Sequence, residues 1–246
     1  MRVRSLSFLL NSKIKILRNI YFFYNIYFRN YRYLKSSSQF KEDEFLKNFF
    51  KNKLSGKYLD LGCFHPIRDN NTYQLYKKGW NGINIDMNSL SIELFNYFRP
   101  KDINLNISLA RNRGTKIMYF SGDFSPLNTI DSNHLKFLNK NFNLEEKKIK
   151  LRKIQTQNIN NVLKRYRFKD IDFLTIDLEG YEYEILSNLN FNIYKINLIC
   201  IEILSHNPKS KKNRTKILKI LKKNNFKLIY KTGVNCFFKN TKWNYQ

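Results

Sequence analysis

The chain has 246 residues, 42% hydrophobic and 16% aromatic, with Lys+Arg 45 against Asp+Glu 19 and a formal charge of +26. This length and apolar content suit one α/β domain with a full core and exclude an intrinsically disordered chain. The charge invites an anionic partner, but Lys, Asn, Ile, Tyr and Phe, all with AT-rich codons, are abundant together, so only local clusters of charge are informative.

Cys63, Cys200 and Cys236 are far apart and form no C-x-x-C. They read as buried thiols in a reducing compartment, neither a disulfide framework nor a zinc site. No apolar run reaches the roughly 18 residues that a membrane-spanning helix needs. The leading MRVRSLSFLL starts like a signal peptide, but Asn11, Lys13 and Lys15 interrupt it and no small-residue cleavage site follows. A cytoplasmic protein is expected.

Residues 1–40 read as a basic, aromatic-rich helical extension, and 41–246 as the catalytic domain. Leu10, Ile14, Leu17, Tyr21, Tyr24 and Phe28 recur at four- and three-residue steps and share one helical face. A basic stripe of Asn11, Lys15, Arg18, Asn25, Arg29 and Arg32 runs beside it. Two readings stay open. The helix packs on its own domain or on a second subunit, or residues 1–35 make peripheral contact with the inner face of the cytoplasmic membrane. Ser36–Ser38 reads as a linker and Lys41–Lys53 as a short helix.

From Lys57 the pattern is strand, turn, helix, repeated. YLDLG (58–62) and GINID (82–86) are short strands stopped by acidic residues, and helices are expected over Asn70–Lys78 and Ser89–Phe98. INLNISLA (103–110) and TKIMYF (115–120) suggest a hairpin around Gly114. Gly122–Lys150 has no clear period and reads as a substrate-side insertion. A helix over Gln157–Tyr166 leads into the apolar strand Ile171–Ile176, and further helices are expected over 180–188 and Lys211–Lys223. Between them runs a strand, Ile196–Leu204. Two final strands, Phe226–Tyr230 and Val234–Phe238, turn at Thr232-Gly233. Together these predict a doubly wound α/β sheet with an antiparallel edge hairpin.

In such a sheet ligands bind outside the carboxyl ends of the strands. The first strand turns through D-L-G-C-F-H-P (Asp60–Pro66), which lacks G-x-G-x-x-G and so offers no glycine cradle for a pyrophosphate. Gly62 still lets a ligand approach the backbone. Asp86, ending the second strand, has two acceptor oxygens suited to ribose hydroxyls. An acidic turn without a phosphate cradle points to S-adenosylmethionine, whose amino-acid end is cationic. Further on, the stretch IDFLTIDLEGYE (171–182) carries Asp177 and Glu179 to the end of a buried strand, with Gly180 turning the chain.

The chain resembles the FkbM family of S-adenosylmethionine-dependent methyltransferases. The likeness lies in YLDLGCFHPIRDNNTYQLYKKGWNGINID, FNYFRPKDINLNISLA, YFSGDFSPLNTID, IDFLTIDLEGYEYEIL and the closing YKTGVNCFFK. It runs from about Lys57 to Lys239 and leaves the first forty residues uncovered. It implies a class I, Rossmann-like methyltransferase fold of seven strands and O-methylation, often of sugars in polysaccharide or natural-product pathways. It places Asp60, Gly62 and Asp86 at the cofactor and Asp177, Glu179 and Gly180 at the active-site edge. Cys63-Phe64, Asn70 and Asn235-Cys236 depart from the family's usual residues.

A sugar hydroxyl needs a general base, for which His65, Asp177 and Glu179 are the candidates. A divalent ion held by Asp177, with Glu202 completing the site, is an alternative way to orient the acceptor, but no metal is expected. His134 and His206 read as surface residues. A nucleic-acid methyltransferase suits the charge, but the strand ends in D-L-E-G and lacks the N/D-P-P-Y type of signature. A non-catalytic membrane-surface or partner-binding protein is a third reading. The expected acceptor is therefore a small molecule or glycan, not a nucleic acid.

Overall fold

The computed structural model describes residues 6–120, 128, 130, 149–203 and 208–243. The strands are β1 (Lys57–Leu61), β2 (Asn81–Asp86), β3 (Ile103–Asn106), β4 (Ser108–Leu109), β5 (Gly114–Phe120), β6 (Lys150–Gln157), β7 (Asp170–Ile176), β8 (Lys195–Glu202), β9 (Phe226–Thr232) and β10 (Asn235–Asn240). The α-helices are α1 (Lys15–Tyr24), α2 (Glu42–Phe49), α3 (Tyr73–Lys77), α4 (Ser89–Phe98), α5 (Ile159–Arg165), α6 (Glu182–Asn188) and α7 (Pro208–Lys223). Seven strands form one sheet in the order β3-β2-β1-β7-β8-β10-β9. β1, β2, β3, β7 and β8 are parallel, while β10 runs antiparallel to both β8 and β9. This is the doubly wound sheet expected from the sequence, its hairpin at the edge.

The centre of the sheet follows from composition. Every residue of β7 from Ile171 to Ile176 is buried, as a strand covered on both faces requires. β1 beside it buries Tyr58 through Leu61. Helix starts are fixed by asparagines: Asn88 accepts from the Leu90 N–H to open α4, and Asn158 accepts from the Asn160 N–H to open α5. Pro100, which has no N–H to donate, follows the end of α4.

Three expectations change. The hairpin of 103–110 with 115–120 does not form. β5 pairs antiparallel with β6, and β4 pairs parallel with the other edge of β6, giving a separate three-stranded sheet. β6, KLRKIQTQ, escaped notice because its residues are mostly exposed and strongly basic, so no apolar alternation marks it. The Gly122–Lys150 insertion lies almost wholly outside the described residues, as do His134 and His206.

Ser36–Ser38 is an anchored turn, not a linker. The Ser36 and Ser38 hydroxyls and the Ser37 N–H all donate to the Asp43 carboxylate, and Ser37 is fully buried. Glu42, also fully buried, accepts from the Phe40 N–H and from Asn235 on β10. The strong need of a buried carboxylate for donors thus stitches the approach to α2 onto the final hairpin.

The N-terminal helix is not continuous either. A 3-10 turn (Leu6–Asn11), α1, a π-turn (Asn25–Arg29) and a second 3-10 turn (Tyr31–Leu34) succeed one another. Each change of period shifts the phase of the exposed face, so the sequence-derived stripe straddles inside and outside. Tyr21 is buried while Ile14 and Phe28, from the same stripe, are exposed. Tyr21, Phe22 and Ile26 pack with Ile67, Tyr73, Leu90 and Leu94, and Arg18 pairs with Glu93 on α4. The described part of the extension therefore packs on the α/β domain, the first of the two readings. Among the described residues no helix is long and apolar enough to cross a membrane.

Candidate active site

Acidic residues gather at the carboxyl ends of β1, β2, β7 and β8, the side on which a doubly wound sheet has its cleft. Leaving β1, the chain turns at Gly62 (φ 83°), where an added Cβ would lie 1.7 Å from the Asp177 carbonyl oxygen. The sequence suggested that this glycine lets a ligand approach. Its demonstrable task is to let the β1 and β7 turns cross. The Asp177 N–H completes that crossing by donating to Leu61 O at 2.9 Å.

Asp60 lies under this turn, nearly buried, and accepts from the Thr72 hydroxyl at 2.8 Å and the Asn70 amide at 3.1 Å. The fully buried Arg99 guanidinium in turn donates to Thr72 Oγ1, Asn70 Oδ1 and Pro66 O. Burial raises the Asp60 pKa, and the hydroxyl, Arg99 and amide oppose the rise. Asp60 therefore shapes the first loop through Thr72 and Asn70. Asp86, at the end of β2, accepts the Phe64 N–H at 2.8 Å and the Asn88 N–H at 2.7 Å, one on each oxygen. Burial pushes its pKa up to about 6 against those two bonds. Each oxygen retains a further lone pair for a ligand hydroxyl.

The turn after β7 is tighter than sequence suggests. Glu179 (φ 50°) and Gly180 (φ 103°) are both left-handed, and for a glutamate that conformation carries strain of about 1–2 kcal/mol. Glu182, at the start of α6, holds the turn by accepting the Leu178 and Gly180 N–H groups at 2.9 and 3.0 Å. Glu182 was not among the sequence-derived candidates. Its signal was the acceptor placed just after a glycine turn that leaves N–H groups needing partners.

Ligand oxygens of Asp177, Glu182 and Glu202 lie within 4.8 Å of one another. Asp177 is exposed to the cleft, yet its pKa is raised well above the carboxylate range, by the protein mass around it first, then by Glu179, Glu182, Asp60 and Asp86. Like charges this close cannot all ionise cheaply. Glu202 is pushed up to about 10 by burial, then by Asp177, Glu179 and Glu182. Its Oε2 has no hydrogen-bond partner among the described residues. The three carboxylates can share protons, or ligate one divalent ion, though Glu182 already serves two backbone donors. Above them, Lys116 on β5 donates to the Tyr181 hydroxyl at 2.6 Å, which ties the small sheet to this edge.

His65 does not join them. It is 1% exposed, its Nδ1 accepts the Ile67 and Arg68 N–H groups, and its Nε2 lies 2.7 Å from Asn25 Oδ1. With Nδ1 accepting, Nε2 carries the proton and donates. Burial, then Arg68, Arg99 and Arg29, hold its pKa well below the usual histidine value. The expectation of His65 as general base is therefore corrected: its basic lone pair is spent on backbone, and the ring is a joint between the first loop and the N-terminal segment.

A cavity of about 710 Å³ lies at the opposite ends of the strands, lined among others by Lys57, Asn81, Asp170, Lys195 and Trp243. It lies at the amino ends of the strands, whereas the acidic residues described above stand at their carboxyl ends. A family model described as the methyltransferase FkbM domain matches residues 60–228, which takes in all of the cleft and leaves out the N-terminal segment. No curated protein matches the chain.

Proposed function

The chain belongs to the FkbM methyltransferase family, and from that premise we propose that it moves a methyl group from S-adenosylmethionine to a hydroxyl oxygen of a sugar or other small polar acceptor. The observation that carries this reading is the charge of the cleft. In a chain with 45 basic and only 19 acidic residues, Asp60, Asp86, Asp177, Glu179, Glu182 and Glu202 gather at the carboxyl ends of the strands, and their mutual repulsion adds to burial in raising the pKa values of Asp86, Asp177, Glu182 and Glu202. Such a site attracts a sulfonium and an ammonium and repels phosphates. It therefore favours the proposed donor over a dinucleotide and an uncharged acceptor over a nucleic acid, despite the basic surface.

The donor fits the residues present: Asp86 retains acceptor capacity at the end of β2, and the first turn has no phosphate cradle. When bound, S-adenosylmethionine supplies an electrophilic methyl carbon on a positively charged sulfur. Asp86 would hold its ribose hydroxyls, and the backbone of the Gly62 turn, fixed by the Asp60–Thr72–Asn70–Arg99 network, would line its other side. Asp177 faces the cleft and accepts the acceptor's hydroxyl proton as the oxygen becomes methylated, and Glu202 and Glu182 redistribute that proton. A carboxylate with a raised pKa is the stronger base once ionised, which is what a weakly acidic hydroxyl demands.

Calorimetry with S-adenosylmethionine and with NAD tests the donor. Methyl transfer from labelled donor to sugar-nucleotide and polysaccharide acceptors, with RNA as the comparison, tests the acceptor. Tight NAD binding with none for S-adenosylmethionine, or transfer to RNA alone, overturns the reading.

A further inference from the structure

The outer face of the N-terminal segment is apolar where it has no need to be. Ile16 is 71% exposed, Ile20 and Phe23 48%, Tyr27 43% and Phe28 61%. Positions 16, 20, 23 and 27 follow one another at four-, three- and four-residue steps and share a face, opposite Arg18, Tyr21, Phe22 and Asn25, which turn toward the domain. The rings also touch, with Phe23 4.9 Å from Tyr27 and 5.9 Å from Phe28 between centroids. A contiguous apolar patch of this kind is ordinarily covered in use.

Charge decides what covers it. Exposed Lys13 and Lys15 stand at one end of the face, and exposed Arg29, Arg32 and Lys35 at the other, with no carboxylate anywhere in residues 6–40. A second copy placed face to face would bring two such segments together, on chains each carrying +26. A nucleic acid would satisfy the cations but has no use for Ile16 and Ile20. No described helix can span a bilayer. An anionic bilayer surface satisfies both parts at once, its headgroups meeting the lysines and arginines and its acyl boundary taking the isoleucines and phenylalanines.

We propose that residues 13–35 dock this protein on an anionic membrane surface, with Ile20, Phe23 and Phe28 entering the interface. The Asn25–His65 hydrogen bond ties the docking segment to the loop leaving the carboxyl end of β1, so docking fixes the cleft relative to the bilayer. The acceptor reached from that position is one held at a membrane surface.

Flotation of the full chain with phosphatidylglycerol-containing vesicles tests the proposal, against phosphatidylcholine vesicles and across a salt series. Binding should require the anionic lipid and fall about tenfold from low to high salt as the charges are screened. Ile20→Ser/Phe23→Ser/Phe28→Ser should lower partitioning by about tenfold or more, while keeping the wild-type melting temperature because all three side chains are exposed. Lys13→Gln/Lys15→Gln, which leaves every apolar group in place, should weaken binding to anionic vesicles alone. Absent flotation, or flotation unchanged in both variants, overturns docking. So does a dimer by light scattering that the triple variant abolishes, which would assign the face to a second copy. Methyl transfer enters none of these readouts, so they stand or fall apart from the proposed activity.

Discussion

The cleft at the strand ends and the segment leading into the domain are opposites in charge, in polarity and in the way they are made. The cleft concentrates carboxylates, of which Asp86 and Glu182 accept backbone N–H groups and Asp60 is held by the Thr72 and Asn70 side chains; the segment has no acid and turns isoleucine and phenylalanine outward. The net charge of +26 describes the second region and misdescribes the first. A ligand is selected by the local field of the site that receives it, and global charge only decides which surface the protein approaches. The two regions meet where Asn25 pairs with the buried His65 and Tyr21, Phe22 and Ile26 pack on Ile67 of the same loop.

The comparison breaks most sharply at Asp177. Asp177→Asn keeps the turn, whose bonds run through the Asp177 N–H and Glu182, but removes the carboxylate proposed as the base. Turnover should fall by about 10²–10⁴, with S-adenosylmethionine affinity by calorimetry changed only a few-fold. Glu179→Gln should lower turnover less. Wild-type turnover in Asp177→Asn on a working acceptor would place the base elsewhere. A chelator titration read alongside separates the two uses of the Asp177, Glu182 and Glu202 oxygens, since activity lost to EDTA and restored by Mg²⁺ assigns them to an ion.

Next in size is Asp86→Ala. Two backbone donors and the proposed ribose contacts would lose a charged acceptor, so donor binding should weaken by roughly 1.5–3 kcal/mol, about ten- to a hundred-fold in Kd. Asp60→Asn makes the informative comparison: Asp60 touches Thr72 and Asn70, so its loss should lower the melting temperature before it weakens binding. Gly62→Val is a poor probe of cofactor access, because its side chain would collide with the Asp177 carbonyl and disrupt both turns.

How much of this was legible differs between the two regions for physical reasons. The parallel strands declare themselves because strands buried on both faces must be apolar throughout, and the acids that end them stand out against that background. Asp60, Asp86, Asp177 and Glu179 were found that way. What His65 does was not legible, because a histidine's role is set by who takes its two nitrogens, and Asn25 lies forty residues earlier in the chain. Glu182 was overlooked since its partners are backbone groups that no sequence spells out. The N-terminal face was misphased because one period of 3.6 was carried through a 3-10 turn before α1 and a π-turn after it, where the Asn30 N–H donates to Asn25 O. β6 escaped because a solvated basic strand carries no hydrophobic alternation.

A smaller effect follows from the pH response of the cleft. Glu202 has a pKa raised from its unfolded value to about 10. The folded chain therefore holds a proton that the unfolded chain has released. The stabilisation is complete below the unfolded pKa and is lost as pH rises toward the folded one. Stability by chemical denaturation should decline from about pH 4.3 upward through neutrality, by at most about 1.4 kcal/mol per pH unit for one such group. Glu202→Gln, which cannot ionise, should flatten that decline. An equal slope in the variant would remove Glu202 from the proton-sharing set and leave the effect to Asp177 and Asp86, whose pKa values are also raised.

The smallest predicted effect bears on the other region, and its smallness is the point. Ile20 and Ile26 are the same residue type six positions apart, one 48% exposed and the other 0%. Ile→Val deletes one methylene at either site. At Ile26 the deletion leaves a gap beside Tyr21, Phe22, Ile67 and Leu94 that packed neighbours cannot fill, and should cost about 0.5–1.5 kcal/mol of stability. Ile20 is half exposed, so the deletion leaves no enclosed gap and stability should move by less than about 0.5 kcal/mol. Denaturant midpoints of the two variants, measured without lipid, read this directly. A loss at Ile20 as large as that at Ile26 would mean that the outer face is already covered by protein in solution, and the region would then be core rather than contact surface. With the asymmetry as stated, the isoleucines and phenylalanines of that face contribute little to holding the monomer together, and the side chains free to leave water are those aligned between Lys15 and Arg29.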